Sequence, residues 1–451
     1  MNRKYGTYLL IALIIVLGGK PLVSFAQDRY SELQNFSKIL NLVQQYYVED
    51  VDTKKLVTGA IKGMLKELDP HTNFMAPEIF KDFESETSGE FGGIGIEISI
   101  QNGVLTIISP IEDTPAWNAG IKPGDKIVAI DQQSTKGFTL VEASALLKGK
   151  RGSKIVLSVV RDSQEKPLDI SITRGSVKIK SIKSANLEDG YVYIKVTSFI
   201  ENTSTDLEKA LKSYKNKSGG KIEGILIDLR RNPGGLLDQA IKVSDMFLKD
   251  GVIVSTIGRD PKNKEVSNAT KKALYPDVPI VVLINEFSAS ASEIVAGALQ
   301  DNKRAVIVGE RSFGKGSVQS VIRLGDGSGL KLTVARYYTP SGTSIQSEGI
   351  HPDIEIEEVD AEIFAKAVNK TKGLREKDIS GHLKSDKEKQ SAKNKSDVPS
   401  MEKNAVAWWK DIGSKKDADL SEKEKLFKSD YQAYQAFSYL KAWKAMKSLT
   451  K

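Results

Sequence analysis

The chain has 451 residues, no cysteine, three histidines and a formal net charge of +8. That length allows two to four domains, and the missing cysteines exclude disulfides, a thiol nucleophile and thiolate metal sites. With only His71, His351 and His382, neither a serine–histidine triad nor a multi-histidine zinc site is expected. No basic motif with interleaved aromatics appears, so the positive balance reads as solvation or attraction to an anionic surface and not as nucleic-acid binding.

Arg3 and Lys4 precede the apolar run 8–17, and Ser24-Phe25-Ala26 supplies small residues where a signal peptidase would cut. Residues 1–26 therefore read as an export signal. The run is short for a spanning helix, and two outcomes stay open, cleavage after Ala26 or retention as an anchor. Either places the remainder outside the cytoplasm, as a periplasmic or secreted protein or one held at the inner membrane. Residues 27–88 read as helical: Leu33, Phe36, Ile39, Leu40, Val43, Tyr46 and Tyr47 recur at helical spacing, as do Val57, Ile61, Met64 and Leu65. Leu68-Asp69-Pro70-His71-Thr72 is a turn, with His71 a turn or packing residue.

From 89 to 175 the period changes to that of strands, at 94–98, 105–108, 126–130 and 155–160. Two short helices are expected at 115–119 and 140–147, and Phe91-Gly92-Gly93-Ile94-Gly95-Ile96 is a glycine-rich loop entering a strand. From 176 to 358 the pattern becomes α/β, with strands at 191–196, 224–229, 279–284, 304–308, 320–324 and 330–338 and helices at 205–214 and 236–247. Residues 359–400 are Lys-, Ser- and acid-rich and read as a disordered linker. The tail 401–451 recovers a helical aromatic pattern from 430 to 447. Packing on the body, mediating oligomers and touching a membrane are all open to that tail.

The chemistry concentrates in 285–319. The strand 279–284 is a continuous β-branched run, expected to be buried on both faces. It leads into Ser288-Ala289-Ser290-Ala291-Ser292, then a helix with Glu293 in its first turn, where the macrodipole favours an acid. A second strand carries the chain into a glycine-rich loop holding Lys315. A serine becomes a nucleophile when a neighbouring base takes its proton, and an amine can serve once burial disfavours its charged form. The N–H of Ala291, at the helix start, would face a nascent oxyanion. Two plainer readings stand beside this one. The serines could simply be N-caps. The segment Gly309–Lys315 matches a phosphate-binding G-x-x-x-x-G-K, but Gly316 stands where that motif demands Ser or Thr for magnesium.

Ser288-Ala-Ser290-Ala-Ser292-Glu-Ile294, Ala296 through Asp301, and Phe313-Gly-Lys315-Gly-Ser-Val-Gln319 together resemble the C-terminal processing peptidases, the tail-specific serine proteases that form subfamily A of peptidase family S41. The resemblance spans about 36–356 and includes the Leu-Asp-Pro-His turn. It implies Ser290 as nucleophile, Lys315 as general base and Gln319 as the residue orienting the lysine, with Asp301 either a further acid or only a helix terminus. It also implies that Gly235, in Arg230-Arg-Asn232-Pro-Gly234-Gly235, shares the oxyanion with Ala291. Residues 89–175 resemble a PDZ domain, a module that captures a peptide C-terminus on loop N–H groups while the peptide adds a strand. Gly93, Ile94, Gly95, Ile96, Leu146 and Leu147 would then bind a free, apolar C-terminus.

The architecture expected is an α/β multi-domain chain: a helical N-terminal part, a PDZ domain and a ClpP/crotonase-like α/β protease core to which 27–88 contributes. The activity expected is an exported serine endopeptidase needing no metal, nucleotide or other cofactor. Its partners would be protein or peptide substrates, with an adaptor, a second copy or a membrane at the N-terminal segment left open. A PDZ scaffold with an idle core is the competing reading, disfavoured because Ser290, Lys315 and Gln319 are all present. An acyl-CoA enzyme on the related crotonase core gives no reason for the PDZ insertion and export signal.

Overall fold

The computed structural model describes residues 20–111, 114–161, 167–188, 190–359 and 415–449. The expectations for 1–19, for most of the linker, for 401–414 and for His382 lie outside them. The chain divides into two compact units, one of residues up to Pro77 with Gln319–Thr333, the other of Glu78–Val318 with Val334 onward.

In the first unit, the helix Lys20–Tyr46 runs through the expected cleavage position, and its apolar stripe is exposed, Leu33 at 67% and Ile39 at 61%. No helix among the described residues is long and apolar enough to cross a membrane. A second helix, Thr53–Lys66, starts where the Asp52 carboxylate accepts the Lys54 N–H at 2.8 Å, an N-cap in the ordinary sense. The predicted turn is built on Asp69, whose carboxylate accepts the N–H groups of His71 and Thr72 and the hydroxyls of Thr72 and Thr333. Burial pulls the Asp69 pKa upward, but these bonds outweigh it and hold the group below the usual carboxylate value. The short strand Asn73–Met75 then pairs antiparallel with Gly329–Lys331.

The centre of the second unit is a six-stranded sheet in the order Ile182–Glu188, Tyr191–Val196, Gly224–Asp228, Ile280–Ile284, Val306–Gly309, Ile354–Glu355. The first pair is antiparallel and the rest are parallel. Successive strand residues face opposite sides, and here each side meets its own helical layer. Ile280, Val282 and Ile284 share a core with the helices Thr203–Lys217, Leu237–Asp245 and Ala291–Asp301. Val281 and Leu283 pack instead with Phe427, Ala433, Phe437 and Leu440 of the helices Glu422–Ser429 and Tyr431–Leu449. The tail thus forms the third layer, and Phe437 meets both Tyr191 and Phe427 at ring-centroid separations of 5.5 Å. The unbroken apolar strand follows from this double cover. A separate antiparallel pair, Val252–Gly258 with Lys264–Asn268, extends to Ala335–Tyr338. Neither strand was expected from the sequence: Lys264–Asn268 is polar and exposed, although Val252-Ile253-Val254 is a β-branched run of the kind strands favour.

Within the second unit, the module spanning 96–173 is an antiparallel sheet in the order Ile96–Gln101, Val104–Pro110, Lys126–Ile130, Lys154–Val160, Leu168–Thr173. Its helix Leu140–Leu147 starts in a capping box of Thr139 and Glu142. Ile107, Ile127, Ile155, Leu157 and Val159 form its core. Glu90–Gly93 and Gly175–Lys178 pair where the chain enters and leaves.

Candidate active site

Ser290 ends the turn between the strand Ile280–Ile284 and the helix Ala291–Asp301. Its neighbours are committed to structure. The Ser288 hydroxyl accepts the Asn285 N–H at 3.0 Å and donates to the Leu229 carbonyl at 2.9 Å, and the Ser292 hydroxyl donates to the Asn232 carbonyl at 2.9 Å. Ser290 sits at φ 55° and is 6% exposed. A non-glycine residue in that region carries strain of about 1–3 kcal/mol and needs firm surroundings. The strain and the N-cap position coexist, so the plain N-cap reading and the nucleophile reading describe the same residue.

Those surroundings centre on Glu293, which is fully buried. One carboxylate oxygen accepts the N–H of Ser290 at 2.7 Å and that of Lys315 at 2.9 Å. The other accepts the Gly314 N–H and the Ser312 hydroxyl, both at 2.6 Å. Two backbone nitrogens on one oxygen can lie no farther apart than those bonds laid end to end. The serine turn and the lysine loop are therefore joined by a single side chain. Burial lifts the Glu293 pKa, and the donated hydrogen bonds pull it back without cancelling the lift. The lysine loop is tied at further points, with the Phe313 N–H donating to the Ser288 carbonyl and the Ser347 N–H to the Gly314 carbonyl.

The loop 230–235 closes the other side. The Asn232 side chain accepts the Gly234 N–H at 2.9 Å and donates to the Val196 carbonyl at 2.9 Å. The Ala289 N–H donates to the Asn232 backbone carbonyl. Asn285 presents its oxygen to the N–H groups of Arg231 and Phe287. Among the described residues its amide nitrogen has no partner. At Gly234, φ is 102°, and a Cβ would lie 2.7 Å from the Ala289 carbonyl oxygen and 2.9 Å from the Ser290 Cβ, so the loop rests directly on the serine turn. Gly235 is bridged to Phe199 through its neighbours, the Gly234 carbonyl and the Leu236 N–H, and its own N–H takes no part in that bridge. Gly234→Ala is expected to cost about 1–3 kcal/mol through strain and overlap. It should lower kcat/KM at least tenfold; parent activity in that variant, measured beside its thermal midpoint, would separate the loop from the site.

In the inserted module, Ile96–Gln101 is an edge strand, paired on one side only, and the helix Leu140–Leu147 lies beside it. The loop before it turns its carbonyls inward: Gly92, Ile94 and Gly95 accept the N–H groups of Gly149, Ala116 and Ile111. Gly95 has φ 80°, and a Cβ there would lie 2.4 Å from Thr114, so no other residue fits. The six expected contacts divide here. Ile94, 2% exposed, and Leu147, 6%, belong to the module's core, because their side chains point into the sheet–helix interface. Ile96 and Leu146 are partly open, and Gly93 and Gly95 shape the loop.

The profile of peptidase family S41 matches residues 190–356, that of the PDZ domain matches 92–172, and that of the activating protease CtpB N-terminal domain matches 22–79. A carboxy-terminal-processing protease of Bartonella bacilliformis is 46% identical over 380 residues, covering 84% of this chain and 87% of its own. The carboxy-terminal processing protease CtpA of Bacillus subtilis is 38% identical, covering 72% and 69%. Among solved structures, a photosystem II D1 C-terminal processing protease is similar at 30% identity and a TM-score of 0.43, covering 71% of this chain and 92% of that one. The chain belongs to peptidase family S41. It is a serine-type peptidase that carries a PDZ domain.

Within the S41 core, Ser290, Ala291, Lys315 and the loop of Gly235 are gathered at one place by Glu293 and Gly234. Asp301 is not among them. It closes the helix that Ser290 opens, about 16 Å away at 1.5 Å per residue, and its carboxylate accepts the Ser341 N–H at 2.8 Å. Gln319 belongs to the first unit, where its amide donates to the Thr333 hydroxyl at 3.4 Å. His351 is exposed and offers its backbone carbonyl to Gln300. Sequence reasoning gave Glu293 only a dipole role and passed over Ser312 and Asn232. An acid three residues after a helix-opening serine is a capping signal, but its bonds to the lysine loop have no local signature.

Proposed function

We propose that this S41 peptidase is an exported endopeptidase that engages the C-terminus of a protein substrate through its PDZ domain and cuts by a Ser–Lys mechanism. The Lys315 amine, uncharged when it acts, takes the Ser290 hydroxyl proton as Oγ attacks the scissile carbonyl. The N–H groups of Gly235 and Ala291 stabilise the oxyanion, and Gln319 orients the lysine. Collapse breaks the C–N bond, hands the proton to the leaving amine and leaves an acyl-enzyme on Ser290 Oγ; water then attacks the ester, giving up a proton to Lys315, and as the C–Oγ bond breaks and the acid leaves, Lys315 returns that proton to Ser290 Oγ. The observation that carries this reading is the shared Glu293 oxygen, which accepts the N–H of both Ser290 and Lys315. The idle-scaffold reading has no use for that strut.

Export rests on the Arg3-Lys4 start and the apolar run after it, and a periplasmic, secreted or membrane-held location follows. The exposed stripe of Lys20–Tyr46 suits a second copy or a membrane surface.

The test is to incubate the 27–451 chain with an unstructured protein ending in an apolar residue, quench with acid and map adducts and products by mass spectrometry. An acyl adduct on the peptide containing Ser290, with internal cleavage products, is expected. Cleavage with the adduct elsewhere would overturn the mechanism. For the PDZ part, Leu146→Arg is expected to raise KM about tenfold for that substrate, with kcat unchanged, and to leave a C-terminally amidated substrate unaffected. An equal effect on both substrates would remove the PDZ groove as the recognition site.

A further inference from the structure

The strand Gly224–Asp228 delivers the chain to the loop 230–235 through Arg230, and all five N–H bonds of that guanidinium are taken. Nε donates to Asp228 Oδ1 at 3.0 Å and Nη2 to Asp228 Oδ2 at 2.7 Å. The opposite edge is held by the tail: Nη1 donates to Asp430 Oδ1 at 3.0 Å and Gln432 Oε1 at 2.8 Å, and Nη2 to Asp430 Oδ2 at 2.5 Å. Arg230 is 7% exposed, Asp228 fully buried and Gln432 1% exposed. Asp228 also accepts the Tyr193 hydroxyl at 2.6 Å, with Lys195 Nζ at 3.7 Å.

The tail residues are themselves fixed. Asp430 separates the two tail helices and accepts the Ala433 N–H at 2.9 Å, capping Tyr431–Leu449. Gln432 donates to the Ile356 carbonyl at 2.6 Å. Immediately after Arg230 the chain leaves the ordinary conformations, with Arg231 strained at φ 59° and Gly234 and Gly235 at 102° and 141°, values that glycine takes without strain. A backbone held there returns to ordinary conformations unless its surroundings over-determine it. A buried, bidentate guanidinium with every donor used is such a constraint.

We propose that the C-terminal tail is a working part of the catalytic loop: Asp430 and Gln432 are positioning residues that, through Arg230, hold the strained loop carrying the Gly235 N–H against Ser290. Removing Asp430 leaves buried guanidinium donors unpaired on one edge and frees the arginine to shift, and the loop five residues on moves with it. The packing of Phe427, Phe437 and Leu440 on the sheet secures the tail, while Asp430 and Gln432 transmit its position. This inference rests on the oxyanion role proposed for Gly235.

The experiment uses the full chain with Asp430→Ala, Asp430→Asn and Gln432→Ala. Phe437→Leu serves as a control that loosens the same helix without touching Arg230, and Ser290→Ala as a blank. Thermal midpoints, kcat, KM and the rate of Ser290 labelling by a fluorophosphonate are measured side by side. Asp430→Ala should lower kcat and the labelling rate about 10- to 100-fold, at most the lower end of the roughly 10²- to 10³-fold that outright loss of one oxyanion donor costs, with KM within about twofold. Asp430→Asn and Gln432→Ala, each keeping part of the fork, should fall between it and the parent. Phe437→Leu should lower the midpoint and keep the parent kcat. Parent-like kcat in Asp430→Ala and Gln432→Ala, or an equal fall in kcat for Phe437→Leu at equal loss of midpoint, would reduce the tail to a packing layer. If Asp430→Ala does not fold, the other two variants decide by the same comparison. Cleavage surviving in Ser290→Ala would instead overturn the site assignment on which the inference stands.

Discussion

Replacing Ser290 by alanine is expected to lower kcat/KM by roughly 10⁴- to 10⁶-fold, the scale on which loss of a nucleophile removes catalysis and leaves only binding and oxyanion stabilisation. Fold and stability should hardly change. The Ser290 N–H to Glu293 bond is a backbone bond that alanine keeps, while the strain at φ 55° remains. Lys315→Ala should fall in the same range. Lys315→Arg should not recover it, because a guanidinium stays charged and cannot act as the base. The double variant should be no worse than the poorer single one, because in the proposed mechanism the two residues act as one unit. Steady-state cleavage of one unstructured substrate by the parent and the four variants checks all of this. Additive losses would mean that serine and lysine work separately.

The second large effect is expected at Glu293. Glutamine matches it in shape, but one of its two terminal atoms becomes a donor. Every group around this carboxylate is itself a donor: the N–H groups of Ser290, Gly314 and Lys315 and the Ser312 hydroxyl. The Ser312 hydroxyl also accepts the Ile350 N–H at 2.6 Å, so it cannot turn away freely. In either amide orientation at least one buried N–H loses its acceptor, at about 1–3 kcal/mol each. We expect Glu293→Gln to lower kcat about 100-fold, given about 1.4 kcal/mol per tenfold, as the serine turn and the lysine loop lose their common anchor. The parent's stability should also respond to pH through this group. Burial raises the Glu293 pKa above its ordinary 4.5, so the folded state holds this proton more tightly than the unfolded one. The contribution is fully present below about pH 4.5 and is lost as pH rises through the folded value. Asp69 and Asp228 have depressed values and act with the opposite sign, losing their contribution on acidification. Urea unfolding of parent and Glu293→Gln across pH 4–8 isolates the Glu293 part as their difference. A pH-independent difference would refute the assignment.

The serine at a strand-to-helix turn, the returning lysine and the PDZ insertion were legible because each is a local pattern. A strand buried on both faces must be continuously apolar, a helix start favours small and capping residues, and Gly95 and Gly234 mark backbone where a Cβ has no room. Export charge pattern and the absence of cysteine are likewise properties of the chain alone. What was not legible depends on groups far apart in sequence. Asp301 was open between a further acid and a helix terminus by its place in a motif, and the helix of eleven residues that separates it from Ser290 favours the second. Ile94 and Leu147 were expected at a ligand from the resemblance alone, and their burial in the module's core came only with the packing of strand and helix. Glu293 read as a helix-dipole acid until the fold laid the lysine loop over it. The aromatic tail read as any amphipathic helix would, since periodicity reports an apolar face and not what covers it. Long-range packing placed that face on the sheet and set Asp430 against Arg230, 200 residues away. Local chemistry along the chain set the elements, the motifs and hence the family. The fold settled which polar groups share one buried space, because such groups answer to the partners that distant segments bring them.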